Sequence, residues 1–340
     1  MDITFKRKIV SILKVLSDAE KPMGGTRIAR RLQEYGFDLS QRMVRNYLKM
    51  MDQEGLTQNL GRKGRKITPK GEDELKSSFV IEKVGFVASK VDTLSHQVSF
   101  SIRKQKGGII LNISTIDIQE IDEAMHQVQL VFRKGLGMGR FVVLGFPGTK
   151  MGRGIIEDRK VAIGTVCSVT INGILLNEGI NTTSRFGGLL ELVEGRPFRF
   201  TEIINYDGSS IDPLEIFIKG RMTSVRQVAL TGNGKIGASF REVPSVGMPR
   251  VERIRKRLDS IGLGGIMLIG KPSSPLLDIP VSEGRVGMIV AGGLNPVAAV
   301  EESGIATENV AMDSLLDFER LVPYWELKNL VRDFMGGPFA

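Results

Sequence analysis

Residues 40–66 read SQRMVRNYLKMMDQEGLTQNLGRKGRK. Over its first half, Met43, Tyr47, Leu48, Met50 and Met51 fall on one side of a helix, and Gln41, Arg42, Arg45, Asn46 and Lys49 on the other. That is the period of a helix buried along one face. Ser40 is placed to cap its N-terminus and Gly55 to end it. Residues 56–59 and 65–68 then predict two short strands. They are joined by Gly61-Arg62-Lys63-Gly64, a tight turn with two cations at its tip. Arg, Gln and Asn on an exposed helical face can donate in pairs to base edges in a major groove, and a basic hairpin beside it can hold phosphates. The stretch predicts a winged helix that reads double-stranded DNA. Ser40, Gln41, Arg42, Arg45, Asn46 and Lys49 would act from the helix, and Arg62, Lys63, Arg65 and Lys66 from the wing.

The residues upstream complete the motif. Ile9, Ile12, Leu13 and Leu16 mark a first helix. Thr26 is a candidate cap for a second, with Ile28, Ala29 and Leu32 inward and Gly36 closing it. Three helices followed by two strands is the winged helix-turn-helix order. Pro69 suits the first turn of a fourth helix, and the polar Lys76-Ser77-Ser78 reads as a hinge. The expected division is a DNA-binding domain over 1–80 and a second domain over 84–327.

Composition agrees with that division. The chain has 340 residues, 41% of them hydrophobic, and a formal charge of +9. Residues 1–80 hold 17 Lys and Arg against 10 Asp and Glu, so the other 260 residues carry only +2. Basicity concentrated in one module is the electrostatic footprint of nucleic-acid binding attached to a near-neutral partner domain. One cysteine excludes an intramolecular disulfide, and two histidines leave no zinc motif or catalytic dyad. No signal peptide is evident. The longest uncharged run, 161–177, falls short of the roughly 20 apolar residues of a membrane helix. The expectation is a cytoplasmic protein with no metal and no enzymatic constellation.

From Val84 the texture becomes Gly-rich and β-rich, and it repeats at an offset of about 125 residues. A helix with the stripe Ile118, Ile121, Met125, Val128 and Phe132 has a counterpart with Val251, Ile254, Leu258 and Ile261. Each ends in Gly-Leu-Gly (135–137 and 262–264), each leads to a buried strand (141–145 and 266–270), and each strand enters a Pro-containing loop. Gly164 aligns with Gly287, Asn172 with Asn295 and Ile174 with Val297. The expected fold class is α+β, with the second domain built from two pseudo-symmetric repeats, about 84–208 and 209–327, packed face to face.

Candidate sites in that domain are weaker. The Gly-Leu-Gly segments follow helices, the reverse of the strand–glycine–helix order of a dinucleotide site, so they read as helix C-caps. Cys167 lies in an apolar strand pattern and reads first as core. The alternative is that Thr165, Cys167, Ser168, Thr170 and Asn172, with Asn295, line a pocket where the repeats meet; against it, Asn-Gly and Asn-Pro are also strong turn pairs. In Thr183-Ser-Arg-Phe-Gly-Gly, Arg185 with the amides of Gly187 and Gly188 suits an anion; a flexible loop with an exposed Arg and no ligand fits the stretch equally well.

The winged helix, the repeat and the strings GTVCSVTINGILL, SRFGGLLE, DPLEIFI and GMIVAGGLNP together resemble the archaeal nitrogen regulators of the NrpR family, over residues 5–327. The resemblance implies a transcriptional repressor of nitrogen-fixation and nitrogen-assimilation genes that binds palindromic operators as a homodimer. It also implies release by 2-oxoglutarate as effector, with no resident cofactor. Some members carry two copies of the regulatory domain and this chain carries one, which brings in a second NrpR-type protein, or basal transcription factors, as partners. Two other readings stay open: an enzyme fused to a regulator, and a docking or oligomerisation module without a small-molecule effector.

Overall fold

The computed structural model describes residues 3–19, 21–34, 39–82, 86–152 and 154–335. They fall into two compact units, Met1–Thr93 with Asp207–Ser210, and Leu94–Tyr206 with Ile211–Ala340. Among the described residues no helix is long and apolar enough to cross a membrane.

The first unit contains α1 (Ile3–Ser17), α2 (Gly25–Glu34), α3 (Gln41–Gln53), β1 (Thr57–Asn59), β2 (Arg65–Ile67), α4 (Pro69–Glu82) and the start of α5 (Phe86–Gln97). Its core is drawn from every helix face the periodicity marks: Ile12, Leu13, Ile28, Leu32, Val44, Leu48 and Met51 are wholly buried. Val44 takes the place expected for Met43, which is 41% exposed. One residue is a 100° step around the helix axis, enough to move a side chain from the edge of the buried face to solvent. Ser40 caps α3, accepting from the Met43 amide at 3.3 Å.

Thr26 lies inside α2 and not at its cap; the Gly24 carbonyl receives the Arg27 and Ile28 amides instead. The expected stop at Gly36 lies outside the described residues. Residues 76–78 form no hinge, because α4 runs through them to Glu82. His96 lies in α5.

In the wing, β1 and β2 pair antiparallel with Gln58 opposite Lys66. A single 3-10 turn, Gly61–Lys63, connects them, fastened by the Asn59 side chain accepting from the Gly61 amide. Gly64 has φ +101°, and a Cβ there would lie 2.5 Å from the Met23 carbonyl carbon. Glycine is therefore what lets Arg65 bridge to Met23 and bring the wing against the chain ahead of α2.

The second unit contains β3 (Gly108–Asp117), α6 (Ile121–Arg133), β4 (Phe141–Gly145), β5 (Lys150–Met151), β6 (Gly154–Ile155), β7 (Lys160–Val166), α7 (Thr170–Asn177), β8 (Thr183–Val193) and β9 (Arg196–Asn205). There follow α8 (Pro213–Lys219), α9 (Val225–Thr231), β10 (Gly234–Pro244), α10 (Met248–Ser260), β11 (Ile266–Ile269), β12 (Arg285–Ala291), α11 (Asn295–Glu302), β13 (Glu308–Asp317), β14 (Val322–Pro323) and α12 (Leu327–Met335). Ten of the strands form two five-stranded sheets, β13-β3-β7-β4-β14 and β11-β12-β10-β8-β9, and β5 pairs with β6 alone, all antiparallel.

The order β3-α6-β4-β7-α7-β8 recurs as β10-α10-β11-β12-α11-β13. The last strand of each series pairs with the first strand of the other: β8 lies against β10, and β13 against β3. The expected face-to-face packing of two self-contained repeats is therefore corrected, since each sheet draws strands from both series. The physical reason is pairing. β3 and β10 are buried along most of their length, so both of their edges need hydrogen-bonding neighbours, and a hairpin from within one series supplies only one.

Candidate functional site

In the first unit Gln41, Arg42, Arg45, Asn46 and Lys49 are all exposed on α3, opposite Val44, Leu48 and Met51. Packing therefore leaves a polar face of two arginines, a lysine and two amides. Gln41 is partly committed, donating through Nε2 to the Thr26 hydroxyl. Arg62, Lys63 and Lys66 are exposed on the wing.

Arg65 departs from its expected role. Its Nε donates to Asp52 Oδ2 at 2.9 Å, both side chains are about one-fifth exposed, and Asp52 also accepts from the Thr57 hydroxyl at 2.6 Å. Arg65 thus ties the wing to the end of α3 instead of reaching outward. A cation not anticipated is Arg30 of α2. It lines a shallow depression of about 420 Å³ with Thr26, Gln33, Ser40 and Gln41, beside the start of α3. The run Arg27-Ile-Ala-Arg-Arg carried that signal, since Arg27, Arg30 and Arg31 are the exposed positions of an amphipathic helix.

In the second unit the anion site expected at Arg185, Gly187 and Gly188 is not formed. The segment is strand β8, and both glycines stand in its ladders, Gly187 opposite Ser239 and Ile204, Gly188 opposite Ala238 and Ile203. Their amides belong to a sheet interior. Arg185 Nη1 bonds Glu242 Oε1, whose side chain is only 2% exposed. Arg285 approaches the other carboxylate oxygen at 3.5 Å and donates to the Glu242 carbonyl and the Thr183 hydroxyl. A buried carboxylate between two arginines replaces the expected loop.

The expected pocket is likewise filled by protein. Thr165 accepts from Asn112 at 3.4 Å, and Thr170 bonds both the amide and the carbonyl of Ile110 in β3. Asn295 does to β10 what Thr170 does to β3: it accepts from the Gly237 amide and donates to the Gly237 carbonyl, and it also reaches the Leu136 carbonyl. Thr170 is thus the counterpart of Asn295, and the alignment with Asn172 slips by two residues. A slip of two is hard to see in a strand, because it keeps every side chain on its own face. Thr170 and Asn295 thus staple helix starts to strands, and their side-chain donors are taken by main-chain carbonyls.

Cys167, Ser168 and Asn172 do converge, around a residue that local pattern does not single out. Arg241 of β10 is wholly buried. It donates to the Ser168 carbonyl at 2.8 Å, the Ser168 hydroxyl at 2.7 Å and Asn172 Oδ1 at 2.6 Å, while Asn172 donates onward to Ser184. Its Nε has no partner, and among the described residues no carboxylate forms an ion pair with it. Burial pushes the Arg241 pKa down, opposed by the neighbouring Tyr206, Cys167 and Asp212. Burial also pushes the Tyr206 hydroxyl up. A fully desolvated guanidinium hydrogen-bonded to neutral oxygens is rare. In the sequence Arg241 only ends the run Ile236-Gly-Ala-Ser-Phe and is followed by Glu242, which gives no local sign of burial. Among the described residues no group of three His, Cys, Asp or Glu could hold a metal.

Comparison with known proteins accords with both units. The profile for NrpR regulatory domains NRD1 and 2 matches residues 84–322, and that of a ribonuclease R winged-helix domain matches 10–75. The chain is 32% identical over 322 residues to the global nitrogen regulator NrpRI of Methanosarcina mazei, covering 94% of this chain and 99% of that one. It is 31% identical to the global nitrogen regulator NrpR of Methanocaldococcus jannaschii over 97% of its own length but only 56% of that protein's. A crystal structure of a nitrogen repressor-like protein from Methanococcus jannaschii superposes with a TM-score of 0.60 at 30% identity, over 70% of this chain and 98% of that one. A regulatory domain matched almost end to end, a winged helix ahead of it and a full-length relative at this identity place the chain in the NrpR family of nitrogen regulators.

Proposed function

We propose that the chain is a transcriptional repressor of nitrogen-assimilation and nitrogen-fixation genes, bound to palindromic operator DNA as a homodimer and released by 2-oxoglutarate. The observation that carries the DNA reading is the exposed face of α3 beside the wing, in a chain of this family. On it Arg42, Arg45 and Asn46 are the base-edge readers, while Lys49, Arg62, Lys63, Lys66 and Arg30 take phosphates. Arg65 is left out because Asp52 holds it.

Operator titrations over a salt series test these roles. Arg45→Ala is expected to weaken specific binding by about 1–3 kcal/mol and non-specific binding much less. Lys63→Ala is expected to weaken binding to every sequence and to flatten the plot of log K against log salt by about 0.9. An unchanged slope for Lys63→Ala would remove the wing from the interface. A gel shift of an operator with and without 2-oxoglutarate tests the repressor reading as a whole.

For the effector, Arg241 supports the reading better than the Arg185 segment does. A dianion needs a cation free of an ion pair; Arg185 is ion-paired with Glu242, whereas among the described residues Arg241 has no ion pair and bonds the neutral oxygens of Ser168 and Asn172. An effector that binds the conformation in which residues 166–172 open toward Arg241 would shift the protein to that conformation by its differential affinity alone. Calorimetry should then give 2-oxoglutarate binding to the full-length protein, weakened at least about tenfold by Arg241→Gln, which removes one charge-assisted hydrogen bond to a carboxylate. If the unaltered protein binds none, the regulatory unit is a docking or oligomerisation module. If Arg241→Gln binds normally, only the location is refuted.

A further inference from the structure

The two Gly-Leu-Gly turns meet at a cleft that the operator and effector readings leave unused. It has a volume of about 660 Å³, and its walls include Arg133, Arg140, Arg255, Asp259, Met267 and Tyr324 with both turns. It lies wholly in the second unit, where the C-terminal ends of α6 and α10 face it. Gly135 (φ +66°) and Gly262 (φ +78°) terminate those helices.

The charge balance favours an anion. Each helix C-terminus contributes about half a negative charge, and Asp259 adds one. Arg255 lies 3.9 Å from Asp259 and donates to the Met267 carbonyl. Arg133 and Arg140 form no ion pair among the described residues, and Arg133 makes only a 3.5 Å hydrogen bond to Gln129. Three guanidinium groups against about two negative charges leave roughly one positive charge in an open cleft.

The backbone of Arg140 is held at this wall. The Arg140 amide donates to the Gly262 carbonyl at 2.8 Å. Its guanidinium lies against that turn so closely that a Cβ at Gly262 would come within 2.7 Å of Nε. The Arg140 carbonyl in turn accepts from the Tyr324 amide at 2.9 Å. Tyr324 stacks on Phe132 with centroids 5.5 Å apart and planes 9° from parallel. A cation and a stacked aromatic ring thus share one wall.

We propose that this cleft binds a nucleotide, with phosphates on Arg133 and Arg140 and the base against Tyr324. Guanidinium groups match phosphate oxygens in pairs, and an aromatic ring offers a base a stacking surface. The volume suits a nucleotide and far exceeds that of a five-carbon diacid. The phosphates are held by side chains and not by a helix N-terminus, which is why no nucleotide fingerprint appears in the sequence.

The chain's one tryptophan, Trp325, is half exposed with its ring 5.1 Å from that of Tyr324, and it reports on the site. The test is titration of the full-length protein with ATP, AMP and tripolyphosphate, read by Trp325 fluorescence and by equilibrium dialysis. Saturable binding of ATP is expected. Arg140→Glu and Arg133→Gln should each weaken it about tenfold or more, because each removes a charge-assisted hydrogen bond to phosphate. Tyr324→Leu should weaken ATP and AMP but leave tripolyphosphate unchanged. No saturable ATP binding at millimolar concentration would overturn the proposal, as would binding indifferent to both arginine variants. Tripolyphosphate binding as tightly as ATP, with Tyr324→Leu silent, would overturn the nucleotide in favour of a bare polyanion. None of these outcomes depends on whether 2-oxoglutarate or operator DNA binds.

Discussion

Arg241→Ala is expected to destabilise the regulatory unit by about 3–5 kcal/mol, read as a fall in the denaturant midpoint. The change leaves the Ser168 hydroxyl and carbonyl and Asn172 Oδ1 without the donor they share, and it opens a cavity where a wholly buried side chain stood. Arg241→Met fills the same space without charge. It leaves those acceptors unsatisfied but removes the cost of burying a guanidinium, the same cost that pushes the Arg241 pKa down. The two effects oppose one another, so Arg241→Met should lie within about 1 kcal/mol of the unaltered protein. A methionine variant as unstable as the alanine variant would show that Arg241 is retained for stability. Near-equality with the unaltered protein would show a cation retained at no gain in stability, as a ligand site requires.

Glu242→Ala is expected to cost about 3 kcal/mol by the same measurement. The lower end of the range for a broken buried pair applies because the two partners are unequal. Arg185 is 44% exposed and can turn to water, whereas Arg285 is 25% exposed, and its Nε has no hydrogen-bond partner beyond the 3.5 Å approach to Glu242. The Ser282 amide also loses its acceptor at 3.3 Å. Glu242→Gln keeps an acceptor for Ser282 and should cost about half as much. An alanine variant with an unchanged midpoint would mean that the cluster contributes nothing to folding.

The reading helix and the wing were legible because their signals are local. A 3.6-residue period, a serine cap and glycines at the turns each act within a few residues. Even there the surroundings of single side chains escaped. Val44 and not Met43 is inside, and Arg65 faces Asp52, a partner 13 residues away. In the regulatory unit the duplication showed as an offset, but the partners of the candidate residues did not. Arg185 meets Glu242 across 57 residues, and Arg241 meets Ser168 across 73. A strand's own pattern says which face is buried and nothing about which strand lies beside it. The anion donors inferred around Arg185 were therefore spent on a neighbour that local sequence cannot name.

The sequence by itself carried the order of the winged-helix elements, the concentration of basic residues in the N-terminal quarter, and the strings that resemble one family. The first two follow from period and composition and the third from a resemblance of motif strings, each a property of contiguous residues. Only the tertiary structure decided that β8 joins β10 and β13 joins β3, that Thr170 and Asn295 are staples, and that a guanidinium with no ion pair among the described residues lies in the core. Those depend on pairing between distant segments, where burial strengthens each polar interaction and penalises each unmet one.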